Sequence, residues 1–222
     1  MTTKLTHSYT AIKKFEQCPL RYYRERVLKD VQDDMGEAAI YGDRIHKALE
    51  HRIKTGEMPE ETMRFEKLVR AFEALAGDDG QIFAEEEFVI TDRLAETDWW
   101  SSDAWIRSKF DVLILRGSKA VVGDWKTGAR RPDMFQMDMY AAFVMHKYPE
   151  VEQVTAALVW LKTGEMDKKS YHRRDCNHLW VDILSRIRRI YDARDADNWP
   201  ARPSGLCGWC PCRFDCEFAT RK

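Results

Sequence analysis

Three cysteines near the end of the chain have the spacing of metal ligands. The stretch CGWCPCRFDC places Cys207, Cys210 and Cys216 as C-x2-C-x5-C. Two thiolates separated by two residues in a tight turn can bind one metal centre, so this spacing favours metal ligation over simple packing.

The pattern leaves three candidates for a fourth ligand. Only one residue separates Cys212 from Cys210, which makes joint chelation awkward, while Cys18 and Cys176 are distant along the chain. A zinc ribbon would use only the four C-terminal cysteines, and it would leave Cys18 without a role. For Cys176 and Cys212, packing as small buried side chains is the simpler expectation.

Two aspartates and a lysine form a second set of candidate ligands. Asp111 lies on the polar face of one predicted strand, and Asp124 ends the next strand two positions before Lys126. Two carboxylates that converge across paired strands suit Mg²⁺, which prefers oxygen ligands and keeps waters for substrate phosphates. A lysine on the same side can orient an attacking water or neutralise developing negative charge. Because D-x-K is a common sequence, this interpretation depends on its context.

Helices are predicted on both sides of a region rich in strands. Ser8 is a suitable N-cap, Pro19 begins or kinks a second helix, and Gly56 ends a third that starts near residue 41. Further helices are expected at about 60–76, through 133–148 with Pro132 in the first turn, and at 179–195.

The strands that must carry the aspartates are short and clearly bounded. QIFAEEEFVI has β character. In WIRSKFDVLIL, one face carries Ile106, Ser108, Phe110, Val112 and Ile114, and the other carries Arg107, Lys109 and Asp111. RGSK turns this strand back into AVVGDW as a hairpin. QVTAALVWLKTG returns to strand, and EMDKKSYHRR is expected as a turn and an edge strand. From residue 198 to 216 the chain has no period, which suggests a cap held by something other than a hydrophobic core.

Length and charge limit the class of protein. A chain of 222 residues with 44% hydrophobic content predicts a single domain, and 36 basic against 37 acidic residues give no global positive field. Neither an apolar run of membrane-spanning length nor a signal-peptide core occurs in the sequence, so we expect no membrane partner and a cytoplasmic location. In that compartment the cysteines are thiols or metal ligands.

The order of these motifs resembles the RecB-like branch of the PD-(D/E)XK nuclease superfamily. The matching pieces are GDRIHKALE with His46, SKFDVLIL with Asp111, GDWKTG with Asp124 and Lys126, and QMDMY with Gln136 and Tyr140. SYTAIKKFEQCPLRYY together with CGWCPCRFDC is similar to the iron–sulfur nucleases of that branch, including CRISPR-associated adaptation exonucleases and the nuclease domains of helicase-nuclease complexes. The resemblance covers the chain from Ser8 to Cys216.

The resemblance implies an α/β fold with a central mixed sheet flanked by helices, a restriction-endonuclease-like core. It also implies that a [4Fe–4S] cluster joins the two ends of the chain. Its ligands would be Cys18, Cys207, Cys210 and Cys216, within a cap formed by 1–35 and 198–222 of a single domain, 1–222. Such a cluster replaces missing burial and need not perform redox chemistry.

The same resemblance implies an active site that binds Mg²⁺ or Mn²⁺. His46, Asp111 and Asp124 would be ligands together with the carbonyl of Trp125, and Lys126 would position the water and stabilise the phosphate. The residue before Asp111 is a phenylalanine, so the proline of the family name is absent.

Other residues would support this site or touch the substrate. The resemblance implies that Gln136 and Tyr140, four apart on one helical face, support the metal site and contact the DNA backbone. One glutamate of residues 85–87 is expected as an outer partner, with Glu85 and Glu87 favoured and the sequence unable to choose between them. Arg130 and Arg131 directly follow the catalytic turn, which favours phosphate contact for at least one of them. Among the eight tryptophans, those at 99, 100 and 105 are the best candidates for base stacking.

The expected function is therefore cleavage of DNA phosphodiesters, with exonuclease action on single strands or ends inferred from the resemblance. A stand-alone enzyme of replication, recombination or repair, including a viral one, fits this length. One alternative is a non-catalytic DNA-binding or adaptor protein with a degenerate site and a structural cluster. The other is a zinc-ribbon interaction module, and the sequence identifies no protein partner.

Overall fold

In the computed structural model, residues 5–33 and 36–219 are described, and four α-helices precede the first strand in them. They are α1 (Tyr9–Gln17), α2 (Pro19–Tyr22), α3 (Glu37–Thr55) and α4 (Glu66–Ala76). As predicted, the Ser8 side chain caps α1 by accepting from the backbone N–H of Ala11 at 3.2 Å. Gly56 ends α3 in the left-handed conformation with φ 79°, also as predicted. The parts of the predicted cap at 1–4, 34–35 and 220–222 lie outside the described residues.

The strands are β1 (Gln81–Ile90), β2 (Ile106–Arg116), β3 (Lys119–Lys126), β4 (Gln153–Trp160) and β5 (Glu165–His172). Two further helices are α5 (Met134–Lys147), between β3 and β4, and α6 (Cys176–Asp195), after β5. The prediction that Pro132 lies in the first turn of α5 was wrong, because the helix begins at Met134. Asp133 is the N-cap, with its carboxylate accepting from the N–H of Phe135 at 3.0 Å, so Pro132 lies before the helix.

The five strands form one mixed sheet in the order β1-β2-β3-β4-β5. The predicted hairpin is confirmed, since β2 and β3 pair in antiparallel fashion with Arg116 opposite Lys119. Strands β3 and β4 are parallel, which requires a crossover, and α5 supplies it. Strand β5 pairs antiparallel with β4 and forms the edge, as predicted. The expected α/β fold with a mixed sheet and flanking helices is therefore confirmed.

The described chain divides into two compact units. The first, called the sheet unit, comprises the described residues of Met35–Phe88 and Ser108–Val181. The second, called the terminal unit, comprises those of Met1–Asp34, Val89–Arg107 and Asp182–Lys222. The expectation of one domain over 1–222 stays a prediction.

Helices cover both faces of the sheet in the sheet unit. On one face, Ile45 and Leu49 of α3 and Phe72 of α4 belong to a core cluster with Val112 of β2 and Trp125 of β3. On the other face, Phe110 packs edge-on against Tyr140 of α5, with ring centroids 5.2 Å apart. Helices α3 and α5 therefore pack on opposite faces of the sheet, over the strands β2 and β3.

The predicted alternation along β2 breaks at Asp111. Phe110 contacts α5, but Val112, two residues later, faces α4, and Asp111 between them is buried as well. The register of β2 with β3 runs from Val112 opposite Gly123 to Arg116 opposite Lys119. Because of this break, Phe110 and Val112 pack on opposite faces of the sheet, and the buried Asp111 lies between them.

The terminal unit brings the two ends of the chain into contact. Trp199 stacks on the ring of Tyr23 at 5.1 Å, and the guanidinium of Arg24 pairs with Asp215 at 2.7 Å. From 198 to 219, Cys212 is the only buried residue, so apolar burial holds little of this tail. In the described parts of the chain, every helix is too short or too polar to cross a bilayer.

Gly123 allows α4 to approach β3 directly before Asp124. A Cβ at this position would lie 2.8 Å from Val112 Cγ1 and 2.9 Å from Phe72 Cε1. Both atoms belong to packed core side chains that cannot swing into solvent. The glycine is therefore needed for close packing beside the candidate acid.

We expect Gly123→Ala to lower the free energy of unfolding by about 1–3 kcal/mol, because the added methyl overpacks the core. Chemical denaturation at equilibrium measures this change. Gly205→Ala is the control, since a Cβ there meets no atom within 4 Å. Equal stability of the two variants would contradict the packing argument.

Candidate active site

Side chains from five elements of the sheet unit meet around the end of β3. Helix α3 supplies His46, β1 supplies Glu85, β2 supplies Asp111, and β3 supplies Asp124 and Lys126. Helix α5 supplies Gln136 and Tyr140. The structure therefore brings together the residues that the sequence motifs selected.

Asp124 is buried and held through only one of its carboxylate oxygens. Gln136 Nε2 and the Tyr140 hydroxyl both donate to Oδ1 at 2.6 Å. Gln136 also donates to the Tyr140 oxygen at 2.9 Å, so the two side chains form one fixed pair on α5. Lys126 Nζ lies 2.6 Å from Oδ2, but not in hydrogen-bonding alignment, and Oδ2 receives no hydrogen bond in the described structure. A buried carboxylate oxygen with spare acceptor capacity is what a cation ligand requires.

The neighbouring charges keep Tyr140 protonated. Burial, followed by the negative charges of Asp124 and Asp111, raises the pKa of Tyr140 well above 10. The hydroxyl is therefore a permanent donor to Asp124, which fixes the carboxylate through the accessible pH range.

The buried Asp111 of β2 pairs with His46 of α3, whose side chain is 29% exposed. His46 Nδ1 lies 3.2 Å from Asp111 Oδ1, while His46 Nε2 donates to the Trp125 carbonyl at 2.7 Å. The backbone N–H of Trp125 donates to Asp111 Oδ2 at 2.7 Å. Candidate ligands thus bind both backbone groups of Trp125, its N–H and its carbonyl.

The pKa values of Asp111 and His46 are both raised. Burial, followed by the charge of Asp124, raises the pKa of Asp111 above its ordinary value. Burial alone would lower the pKa of His46, but the hydrogen bond and charge of Asp111, with the charge of Asp124, outweigh it and raise that pKa to about 9. Without a metal, an imidazolium therefore supplies positive charge among the acids.

Glu85 is the glutamate that faces the site. Its Oε1 lies 4.0 Å from His46 Nδ1, and its other oxygen forms an ion pair with Lys109. Its backbone has φ 56°, which is rare for a residue with a side chain and unusual within a strand. By contrast, Glu86 pairs with Lys147 at 2.7 Å, and Glu87 is exposed. The sequence contained the three acids, but no pattern in it identified the first.

The arginines after β3 have different surroundings. Arg130 pairs with Asp167 of β5, with Nε 2.9 Å from Oδ2, and lies 3.4 Å from Glu165. These acids keep the pKa of Arg130 above its usual value. Arg131 is exposed. In the terminal unit, Trp100 is 85% exposed, and the guanidinium of Arg107 lies 5.4 Å from the Trp99 ring and 5.5 Å from the Trp100 ring.

The predicted cluster ligands line one cavity of the terminal unit. Cys18, Cys207, Cys210 and Cys216 all border it, as does Cys212. The backbone N–H of Arg202 points to Cys18 Sγ at 3.4 Å, and that of Ser204 points to Cys207 Sγ at 3.2 Å. Burial, followed by the neighbouring Cys210, raises the pKa of Cys212 to about 12, which disfavours it as a thiolate ligand. Cys176 lies elsewhere, in the sheet unit.

Among the described residues, one group of three ligand atoms lies within 4.8 Å of one another, and it consists of His46, Glu85 and Asp111. Imidazole and carboxylate ligands of this kind suit Mn²⁺, and the two carboxylates suit Mg²⁺. Together with the unsatisfied oxygen of Asp124, these residues fit a divalent metal ion.

Comparisons with known proteins agree with this fold. A family model described as the PD-(D/E)XK nuclease superfamily matches residues 6–217. A solved structure from Eubacterium rectale, named as a candidate exonuclease, is 15% identical with a TM-score of 0.53, over 94% of this chain and 87% of its own. The structure of SSO0001 is 12% identical with a TM-score of 0.48, over 100% of this chain and 90% of its own. Among curated proteins, none matches this chain at a significant level.

We expect Mn²⁺ to raise the melting temperature of the protein, because an ion that binds only the folded state adds about 2.7 kcal/mol of stability at 100 times its dissociation constant. Asp111→Asn and His46→Ala should lose most of this shift. Thermal unfolding with and without Mn²⁺ measures it, and the exposed Glu150→Gln is the control. A full shift in both site variants would show that the ion binds elsewhere.

Proposed function

The chain belongs to the PD-(D/E)XK nuclease superfamily, and we propose that it is a metal-dependent deoxyribonuclease of the RecB-like branch. The proposed reaction is hydrolysis of phosphodiester bonds in DNA, as an exonuclease at single strands or ends, in replication, recombination or repair. The observation that carries this proposal is the convergence of His46, Glu85 and Asp111 beside an unsatisfied oxygen of Asp124.

A divalent ion held by these residues would supply the electrophilic charge that phosphate chemistry needs. The side chains of the protein perform the other tasks. Gln136 and Tyr140 occupy Asp124 Oδ1, so Oδ2 is the oxygen of Asp124 that would bind the ion. The Trp125 carbonyl, 2.7 Å from His46 Nε2, is available as a further oxygen ligand.

Lys126 is proposed to act on the substrate. Its ammonium is next to Asp124 Oδ2 and its side chain is 30% exposed, so it can reach a phosphate oxygen and an attacking water. In the reaction, the water oxygen forms a bond to phosphorus, the bond from phosphorus to one ester oxygen breaks, and that oxygen leaves with a proton. Lys126 neutralises the charge that develops on the remaining phosphate oxygens.

DNA contacts are also proposed for Tyr140, inside the site, and for Arg130 and Arg131 beyond it. Arg131 is exposed after β3, where it can meet a phosphate. Arg130 would have to exchange its pair with Asp167 for such a contact.

A non-catalytic DNA-binding protein is the competing function. A degenerate site of that kind would be expected to have lost an acid or the lysine. Asp111, Asp124 and Lys126 are all present, and Lys126 lies beside its acid. These observations favour the enzyme.

We expect Asp124→Ala to lower cleavage of labelled DNA by on the order of 10³-fold, because it removes a metal ligand, and Lys126→Ala by on the order of 10²-fold. Digestion of single- and double-stranded substrates with Mg²⁺ or Mn²⁺ measures both changes. Glu150→Gln should cleave like the wild type. Equal rates for wild type and Asp124→Ala, or no cleavage by the wild type with either ion, would refute the enzyme proposal.

We also propose that Cys18, Cys207, Cys210 and Cys216 hold a [4Fe–4S] cluster. The cavity that they border is also lined by Arg21, Arg202 and Arg213, and no acid lies among its described lining residues. Positive surroundings and N–H groups directed at sulfur stabilise thiolates and a negatively charged cluster. A tail with one buried residue also needs another source of stability.

The alternative zinc ribbon fits these cysteines less well. Four thiolates around a single zinc at about 2.3 Å lie within about 4 Å of one another. In the described structure, no three cysteine sulfurs lie within 4.8 Å. A cluster spans a larger volume, and Cys212, whose pKa is raised to about 12, is not needed to hold it.

We expect the protein purified without oxygen to be brown and to contain about four iron atoms. Cys18→Ser should lose iron and melt at a lower temperature, because the cluster links the chain ends. Cys176→Ser, in the other unit, is the control. A colourless protein with one zinc would favour the ribbon, and full iron with an unchanged melting temperature in Cys18→Ser would exclude that ligand.

A further inference from the structure

Lys109 is a second lysine beside the cluster of acids. It lies two residues before Asp111 on β2, and its ammonium forms an ion pair with Glu85. The Lys109 side chain is 43% exposed, whereas that of Glu85 is only 10% exposed. Lys109 therefore stands between the buried carboxylates and the solvent.

The contacts of β2 show which way Lys109 points. Phe110 packs on Tyr140 of α5, while Asp111 contacts His46 of α3. The break in β2 lies between Asp111 and Val112, so regular alternation holds before it, and Lys109 lies opposite Phe110, on the Asp111 side. Its bond to Glu85, a carboxylate that is also 4.0 Å from His46, agrees with this direction.

Lys109 also has donors to spare. An ammonium carries three N–H groups, and the ion pair with Glu85 uses only part of this capacity. An ion pair this exposed contributes little stability, so stability alone does not account for the lysine.

The surroundings of Lys109 would otherwise repel a nucleic-acid strand. Glu87, Glu50 and Asp43 are close enough for their negative charges to interact with the ammonium of Lys109. Of the other lysines near these acids, Lys47 is on α3, paired with the exposed Asp43 at 2.7 Å, and Lys126 is on β3, 2.6 Å from Asp124. Lys109 is the lysine of β2, so a phosphate approaching the candidate metal ligands from the β2 side meets its ammonium.

We infer that Lys109 binds a backbone phosphate of the nucleic-acid strand beside the phosphate that is cleaved, with Glu85 orienting its ammonium. This inference rests on the proposed nuclease function. Glu85 then has two tasks, since one oxygen faces the metal ligands and the other holds the lysine at the entrance. Lys126 acts on the β3 side of the site, and Lys109 acts on the β2 side.

The test is binding of a nuclease-resistant phosphorothioate single strand at fixed Mg²⁺ over a series of KCl concentrations. Lys109→Gln should bind about tenfold more weakly, and its slope of log affinity against log salt should fall in magnitude by about 0.7, the value for one lost contact to a single strand. Lys109→Arg should keep the wild-type slope, because it keeps the charge. Lys168→Gln, an exposed lysine of β5, should match the wild type in both measurements.

Calorimetric titration with Mn²⁺ in the absence of nucleic acid separates phosphate binding from an effect through Glu85. Unchanged Mn²⁺ affinity in Lys109→Gln, together with the smaller slope, supports the inference. Weaker Mn²⁺ binding with a wild-type slope would show that Lys109 only positions Glu85, and wild-type affinity and slope would show that it has no role; either result overturns the inference. If the wild type cleaves DNA in those cases, only this inference fails. If the wild type neither binds nor cleaves, the nuclease function fails with it.

Discussion

Two buried aspartates on adjacent strands, Asp111 and Asp124, impose the main constraint on the sheet unit, because their negative charges repel each other. Asp111 and Asp124 both lie in the interior, where an isolated carboxylate is strongly disfavoured. Each one therefore needs its own compensation. Asp124 receives two hydrogen bonds from α5, and Asp111 receives a backbone N–H and the ring of His46.

This compensation explains why helices must approach the strands from both faces. Helix α3 supplies His46, and α5 supplies Gln136 and Tyr140. On β3, the absence of a side chain at Gly123 allows Phe72 of α4 to pack against the strand. The same donors leave the second oxygen of Asp124 without a hydrogen bond, with only the ammonium of Lys126 beside it. A stable core and an open ligand position are thus produced by one set of contacts.

Much of this arrangement could be predicted from the sequence, because its signals are local. Period, caps and the turn at RGSK give the hairpin that carries Asp111 and Asp124, and the four-residue spacing of Gln136 and Tyr140 places both on one helical face. The choice of Glu85 could not be predicted, since it depends on a positive φ within β1. Nor could the break in β2 at Asp111, because SKFDVLIL contains no glycine or proline to mark it, and only the packing of Phe110 against α5 and of Val112 against α4 reveals it.

The composition of the terminal unit has a consequence for the order in which the chain folds. Its three segments are separated in sequence by the segments of the sheet unit. During synthesis, Tyr22 and Tyr23 leave the ribosome long before Trp199, the ring on which they stack. The first helices must therefore wait, with their aromatic surfaces uncovered, until nearly the whole chain has been made, and closure over such a separation is slow. This interval is when nascent chains of the protein are most exposed to aggregation and to chaperones.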